Sequence, residues 1–248
     1  MLQPLRSYTQ DSTQPLFANR ISELVQLMKS KSVEDIAILM DLSPELARLN
    51  FKRYQNFLPQ ENCPISQSYP ALFLFQGDVY QSLKAISWDH VSVDYSQSHL
   101  RILSGLYGLL RPLDAIQPYR LEMGVRLRNS YGKNLYDFWK NCITNTINQQ
   151  LDLQVNPILI NLASIEYFKA IDVGNMAHPI VTINFYENKN NELKMIGIHA
   201  KKARGTMVKY IMENQIDTLE ELVLFTDLGY RFNPDSSSDT HLDFIRVY

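Results

Sequence analysis

The chain has 248 residues, 45% of them hydrophobic, and it carries a formal net charge of -2 at pH 7. That length permits a substantial core in one large domain or two small ones, and the balanced charge excludes a strongly basic protein that coats nucleic acid. The cysteines, Cys63 and Cys142, lie far apart in the sequence, which excludes a disulfide framework and favours a reducing cytoplasm.

Residues 1–57 are predicted to be helical. Apolar side chains between Ile21 and Met28 recur at helical spacing, and Pro15 is suited to a helix start. Ser32 and Ser43 are each followed by acidic residues, as expected of N-caps whose hydroxyls and first-turn carboxylates meet the exposed amides. These segments predict a wrapper of helices.

Two short apolar segments come next, and both predict buried strands. Residues 71–75 are apolar and end in Gln-Gly-Asp, and residues 100–103 form a second run of similar length. Runs this short and bounded by a glycine are more typical of strands than of helices.

The second half of the chain alternates predicted helices and strands. Residues 134–151 present apolar side chains on one helical face and predict a long amphipathic helix. Residues 157–162 predict a third buried strand, residues 180–187 and 193–199 a β-hairpin, and residues 203–214 a further helix. Without an evident linker, the pattern predicts an α/β (mixed α+β) fold: a single compact domain over residues 1–248, with a central mixed sheet wrapped by helices.

A glycine turn at residues 104–108 is the first candidate site. Two glycines on either side of Leu-Tyr let backbone amides approach a ligand, and this pattern resembles the hairpin of helix-hairpin-helix elements that contact DNA phosphates. The alternative is a tight turn between core elements, and the pattern taken alone favours this structural role. Nearby arginines suit phosphate and support binding. The candidate residues are Ser104, Gly105, Tyr107, Gly108, Arg111 and Arg120.

A basic run is the second candidate site. Residues 193–212 contain five cations and no acid, whereas residues 213–243 contain eight acids and one cation. Lys201, Lys202 and Arg204 are predicted to lie between the hairpin and the next helix, so that their charges and the first helical amides converge on one phosphate. A solvated basic turn is the alternative.

Polar residues after the third predicted strand form a weaker candidate. Glu166 and Lys169 follow that strand and are candidate cleft residues for acid or base chemistry, while Ser164 is expected to cap a helix. No histidine pair, Cys cluster, Walker A run, GxGxxG or GxSxG motif is present, so we predict no metal and no cofactor. No apolar run is long enough to suggest a signal peptide or a membrane span.

Several segments together resemble the YaaA peroxide stress protein family. The similarity runs in order from about residue 13 onward, over residues 75–80, 99–114, 117–124, 135–139, 161–169 and 200–205. It implies a cytosolic protein that limits damage during hydrogen peroxide stress, associated with lowering unincorporated iron. It also implies an unusual α/β fold with a DNA-binding cleft and a helix-hairpin-helix-like element.

The chain departs from the family pattern in two places. The family usually begins with an apolar strand leading into Ser-Pro-Ala-Lys-Thr-Leu, which this sequence does not contain, and Gln76 stands where the family commonly has lysine. Both differences remove cations from the expected cleft.

The leading hypothesis is a stress protein that binds duplex or branched DNA through its backbone, without sequence specificity. The rival is an enzyme acting on a phosphorylated or nucleotide-like small molecule, with Glu166 as acid or base and the same cations as a clamp. A third hypothesis is an interaction protein whose motifs only build its core.

Overall fold

The computed structural model describes residues 12–59, 63–190 and 192–247, and it confirms a mixed α/β fold. The chain divides into two compact units. The first comprises Met1–Leu74, Leu100–Thr144 and Ser164–Gly174, and the second comprises Phe75–His99, Asn145–Ala163 and Asn175–Tyr248. The single domain expected from the sequence stays a prediction.

The first unit opens with helices α1 (Ala18–Lys29), α2 (Val33–Met40) and α3 (Pro44–Gln55), which confirm the helical prediction over the described residues. Residues 1–11 of that prediction lie outside them. Ser32 caps α2 in a capping box with Asp35, and Ser43 caps α3 by accepting a hydrogen bond from the Leu46 amide.

Helix α4 (Ala71–Leu74) occupies the segment predicted as a buried strand, so that prediction was wrong. Strand β1 (Tyr69–Pro70) ends just before it and pairs with β4 (Ala115–Ile116). The Ala71 and Leu72 amides donate to the carbonyls of Asp114 and Pro112, which are distant in sequence. These contacts fix a conformation that a short apolar run does not specify.

The glycine turn joins β2 (Ile102–Ser104) to β3 (Gly108–Leu110), an antiparallel pair that confirms the strand predicted at residues 100–103 with a small shift. The predicted helix-hairpin-helix element is not confirmed. Helix α7 (Leu135–Leu151) confirms the predicted amphipathic helix, and α8 (Ile165–Phe168) follows.

The second unit contains α5 (Asp78–Leu83), α6 (His90–His99) and a sheet of mixed direction, as predicted. Its strands are β5 (Leu159–Asn161), β6 (Ile180–Lys189), β7 (Glu192–Lys194), β8 (Arg231–Phe232) and β9 (His241–Val247). The strand order is β5-β6-β9-β8, with β7 paired to β6. Strands β5 and β9 run parallel to β6, whereas β7 is antiparallel to it.

Helix α9 (Gly197–Asn214) packs on this sheet, and the short α10 (Leu219–Leu222) follows it. Alternate residues of β6 are buried, and Phe185 contributes to a core shared with Ala203 and Met207 of α9. Gly205 brings the backbone of α9 against the Val79 carbonyl of α5. Within the described residues, no helix combines the length and the apolar character needed to cross a bilayer.

Candidate nucleic-acid interface

The glycine turn is buried within the first unit. Gly105 accepts a hydrogen bond from Trp139 Nε1 at 2.9 Å through its carbonyl, and a Cβ there would lie 3.0 Å from the Leu121 carbonyl carbon. Gly108 has a φ of +73°, and its Cα faces the Trp139 ring. Both glycines are therefore explained by close packing, which favours the core-turn alternative.

Ser104 and Tyr107 are also engaged inside this unit. The Ser104 hydroxyl accepts a hydrogen bond from the Tyr107 amide at 2.9 Å and bonds to the Tyr119 hydroxyl at 2.6 Å. The Tyr107 hydroxyl accepts from the Gln117 amide at 2.9 Å, and burial raises the pKa of Tyr107. These hydroxyls satisfy local backbone and side-chain groups.

Arg111 has an internal counterion. Its Nη2 lies 2.8 Å from Oδ1 of Asp114, a fully buried carboxylate that also accepts from the Arg111 amide. The same Nη2 donates to the Gln14 carbonyl at 2.8 Å, and Thr13 donates its hydroxyl to Asp114. Asp114 therefore neutralises Arg111, and the pair fastens neighbouring loops.

Arg120 is partly compensated. Its Nη2 lies 2.7 Å from Glu122 Oε1, and both side chains remain more than two-fifths exposed. Such an exposed pair leaves the guanidinium accessible to water. The buried Nε of Arg120 has no hydrogen-bond partner in the described part of the chain. Of the predicted arginines in this unit, Arg120 has the weaker internal neutralisation.

Glu166 lies on the short helix α8, and Lys169 follows it as the C-cap. Ser164 caps α8 by accepting a hydrogen bond from the Tyr167 amide, as predicted. Glu166 Oε1 accepts from the Gly124 amide at 2.9 Å, and Lys169 is an exposed residue at the helix end. This hydrogen bond ties α8 to the loop at Gly124.

The basic run of the second unit lies inside a helix. Lys201, Lys202 and Arg204 were predicted to lie between the hairpin and the next helix, but α9 begins at Gly197 and contains all three. The three cations therefore occupy its second and third turns, so the free amides of its first turn belong to earlier residues. That detail of the prediction was wrong.

Within the described residues these cations have no counterion, unlike their neighbours. Lys194 pairs with Glu192 at 2.6 Å, and Lys209 pairs with Glu213 at 3.7 Å. Lys201 and Lys202 are exposed, and over residues 12–59, 63–190 and 192–247 neither forms an ion pair. The uncompensated charge of this helix is therefore concentrated in the predicted run.

Arg204 is the most unusual member of the run. It is half-buried, and burial lowers the pKa of its guanidinium. Its Nε is buried without a hydrogen-bond partner among the residues that the structure describes. Leaving a charged donor desolvated and unpaired is costly, and an anion would relieve that cost.

A buried polar cluster that was not predicted from the sequence lies beside the start of α9. Glu187 is 2% exposed and accepts from Arg246 Nε and Nη2, both at 2.9 Å, and from the Tyr230 hydroxyl at 2.5 Å. His199 Nδ1 lies 3.1 Å from Arg246 Nη2. The alternation of β6 could have indicated this cluster, because it places the acidic side chain of Glu187 at an inward position.

No group of three or more His, Cys, Asp or Glu side chains in the described segments is arranged to hold a metal ion. The three cations on α9, which have no counterion within the described residues, can contact anionic oxygens.

Comparison with known proteins agrees with the resemblance in the sequence. The protein-family model described as peroxide stress protein YaaA matches residues 2–236. A UPF0246 protein of Legionella pneumophila (strain Corby) is 60% identical over 243 residues, covering 98% of this chain and 94% of the relative. A UPF0246 protein of Francisella tularensis subsp. tularensis (strain WY96-3418) is 46% identical over 234 residues, covering 94% and 91%.

Proposed function

The chain belongs to the peroxide stress protein YaaA family, and from that premise we propose that it binds DNA through the phosphate backbone during hydrogen peroxide stress. The proposed contact is the set of cations on α9, namely Lys201, Lys202 and Arg204. In this proposal the protein is cytosolic and limits iron-mediated oxidative damage to the DNA that it covers.

The observation that carries the proposal is the absence of a counterion for these three residues in the described part of the chain. The cations of the run that do have carboxylate partners lie at either side of them. Arg204 adds a desolvated donor, Nε, that lacks an internal acceptor in the same residues. Phosphate oxygens supply both the negative charge and the acceptor that this set lacks.

The geometry favours binding without sequence preference. Lys201 and Lys202 are exposed, whereas Ala203 and Met207 of the same helix pack on the sheet. The two ammonium groups are therefore accessible to an anion at the protein surface. Lysine ammonium groups act as point charges, and contacts of this kind position a protein on DNA without reading bases. The expected ligand is therefore a polyanion.

The test measures affinity for a fluorescent duplex by anisotropy over a series of salt concentrations. Three phosphate contacts predict a slope of about -2.7 in log affinity against log salt, because each contributes about 0.9. The Lys201→Gln/Lys202→Gln variant should bind more weakly and reduce the slope to about -0.9. Lys209→Gln is the control, because it removes one charge of the same helix that already has a carboxylate partner.

Two results would count against the proposal: affinity that does not change with salt, or equal losses in the double variant and the control. A titration with inorganic phosphate separates a polyanion site from a small-anion site. Protection is tested by nicking of supercoiled plasmid with ferrous iron and peroxide. Wild-type protein should slow nicking, and the Lys201→Gln/Lys202→Gln variant should slow it less.

A further inference from the structure

Strand β7 forms an exposed edge of the sheet in the second unit. It pairs with β6, and within the residues that the structure describes it has no other strand partner. All three of its residues are exposed. Its outer edge therefore carries backbone donors and acceptors that are open to another strand.

The hairpin register identifies which residue directs its backbone outward. Lys189 of β6 lies opposite Glu192 of β7 in the backbone register, and two residues separate them in the chain. In a two-residue hairpin this closing pair exchanges both backbone hydrogen bonds, and the next pair along does not. The N–H and C=O of Leu193 therefore point to the outer edge.

The charges on this edge are complementary to themselves. If a second copy pairs antiparallel to β7 with the two Leu193 residues opposite each other, Glu192 of each copy lies across from Lys194 of the other. The symmetric register centred on Lys194 would instead place two lysines opposite each other. The charges thus select the register that also joins the outward backbone groups of Leu193.

An apolar segment continues from this strand into α9. Leu193, Met195, Ile196 and Ile198 are between 41% and 52% exposed. Apolar side chains gathered beside an open strand edge favour association, because association removes their surface from water. A lysine such as Lys194 on an edge strand would by itself oppose pairing with another strand, but Glu192 on the same edge supplies the opposite charge.

We propose that β7 is a dimerisation edge, at which two copies of this chain pair antiparallel about Leu193 with reciprocal Glu192–Lys194 contacts. A two-fold symmetric interface uses one patch on both subunits, so a self-complementary strand is suited to it. The strand is short, and we expect a weak dimer with a dissociation constant in about the micromolar range.

The test is sedimentation velocity over a concentration series, without DNA. Wild type should shift from monomer to dimer. Glu192→Lys and Lys194→Glu should each weaken the dimer by about tenfold or more, because each places like charges opposite one another. The double variant Glu192→Lys/Lys194→Glu should restore it, and the two single variants should pair when mixed.

Lys52→Glu is the control for net charge, since it lies on the exposed surface of α3 and should leave dimerisation unchanged. Circular dichroism checks that every variant is folded. A wild type that stays monomeric throughout would overturn the proposal, and so would single variants that dimerise normally. A folded double variant that fails to regain the dimer would also refute the register.

Discussion

Replacement of Gly205 by alanine tests the contact between α5 and α9. A Cβ at this position would lie 3.0 Å from Ser82 Cβ and from the Val79 carbonyl carbon, and closer still to the Val79 oxygen. Ordinary contact begins at 3.4 Å, and the Val79 atoms belong to backbone that cannot rotate away. The two helices must therefore separate by roughly 1 Å, which disturbs the packing along their contact.

The expected cost follows from two opposing effects. Overpacking of this kind typically costs about 1–3 kcal/mol, and a clash with backbone belongs at the upper end. Alanine recovers about 1 kcal/mol of helix propensity relative to glycine. We therefore expect Gly205→Ala to lower the free energy of unfolding by about 2 kcal/mol.

Urea denaturation at constant temperature, followed by circular dichroism, measures this difference. Gly197→Ala is the matched control in the same helix, because nothing lies within 4 Å of a Cβ at Gly197. The control should be neutral or stabilised by up to about 1 kcal/mol. If the free energy of unfolding of Gly205→Ala differs from that of wild type by less than about 0.5 kcal/mol, the two helices do not approach as closely as we describe.

Two further predictions concern buried ionisable groups. Burial raises the pKa of Tyr167 to about 12, and its hydroxyl also accepts from the Met123 amide. The unfolded chain releases this proton first, so the free energy of unfolding should fall as the pH rises from 10.0 to about 12. Urea denaturation across this range should show a smaller fall for Tyr167→Phe, and an unchanged fall would contradict the assignment. Glu187→Gln should cost about 3 kcal/mol because it removes the buried carboxylate charge that pairs with Arg246, whereas Glu213→Gln, in a more exposed pair, should cost less than about 1 kcal/mol. Equal losses in urea denaturation would show that the Glu187 pair is no stronger than a surface pair.

Features governed by neighbours in sequence could be predicted well. Ser32 and Ser43 were identified as caps because capping depends on residues within one turn. Helix α7 was identified because its apolar face repeats over many residues. Helix α4 was misread because its amides bond to carbonyls near residue 114, and periodicity carries no information about such distant partners.

For the candidate site, the sequence shows which residues are basic but not where they lie in the helix or which of them have counterions. The basic run was visible in the sequence, but the start of α9 was placed too late, because residues 197–199 were assigned to the second strand of the hairpin and not to the helix. The complete burial of Asp114 beside Arg111 depends on long-range folding, which sequence spacing does not show. Only the structure distinguishes Arg204, whose Nε has no hydrogen-bond partner within the described residues, from neutralised cations.

The position of β9 has a consequence for biosynthesis. This strand pairs with β6 over seven residues, from Thr182↔His241 to Asn188↔Val247, and it also pairs with β8. The ribosome releases β6 long before β9, so the sheet lacks its inner strand β9 until that strand has been synthesised. Until then β6 presents an open edge and apolar side chains to chaperones and proteases. A translation product that stops before β9 is therefore expected to be cleared rather than to accumulate.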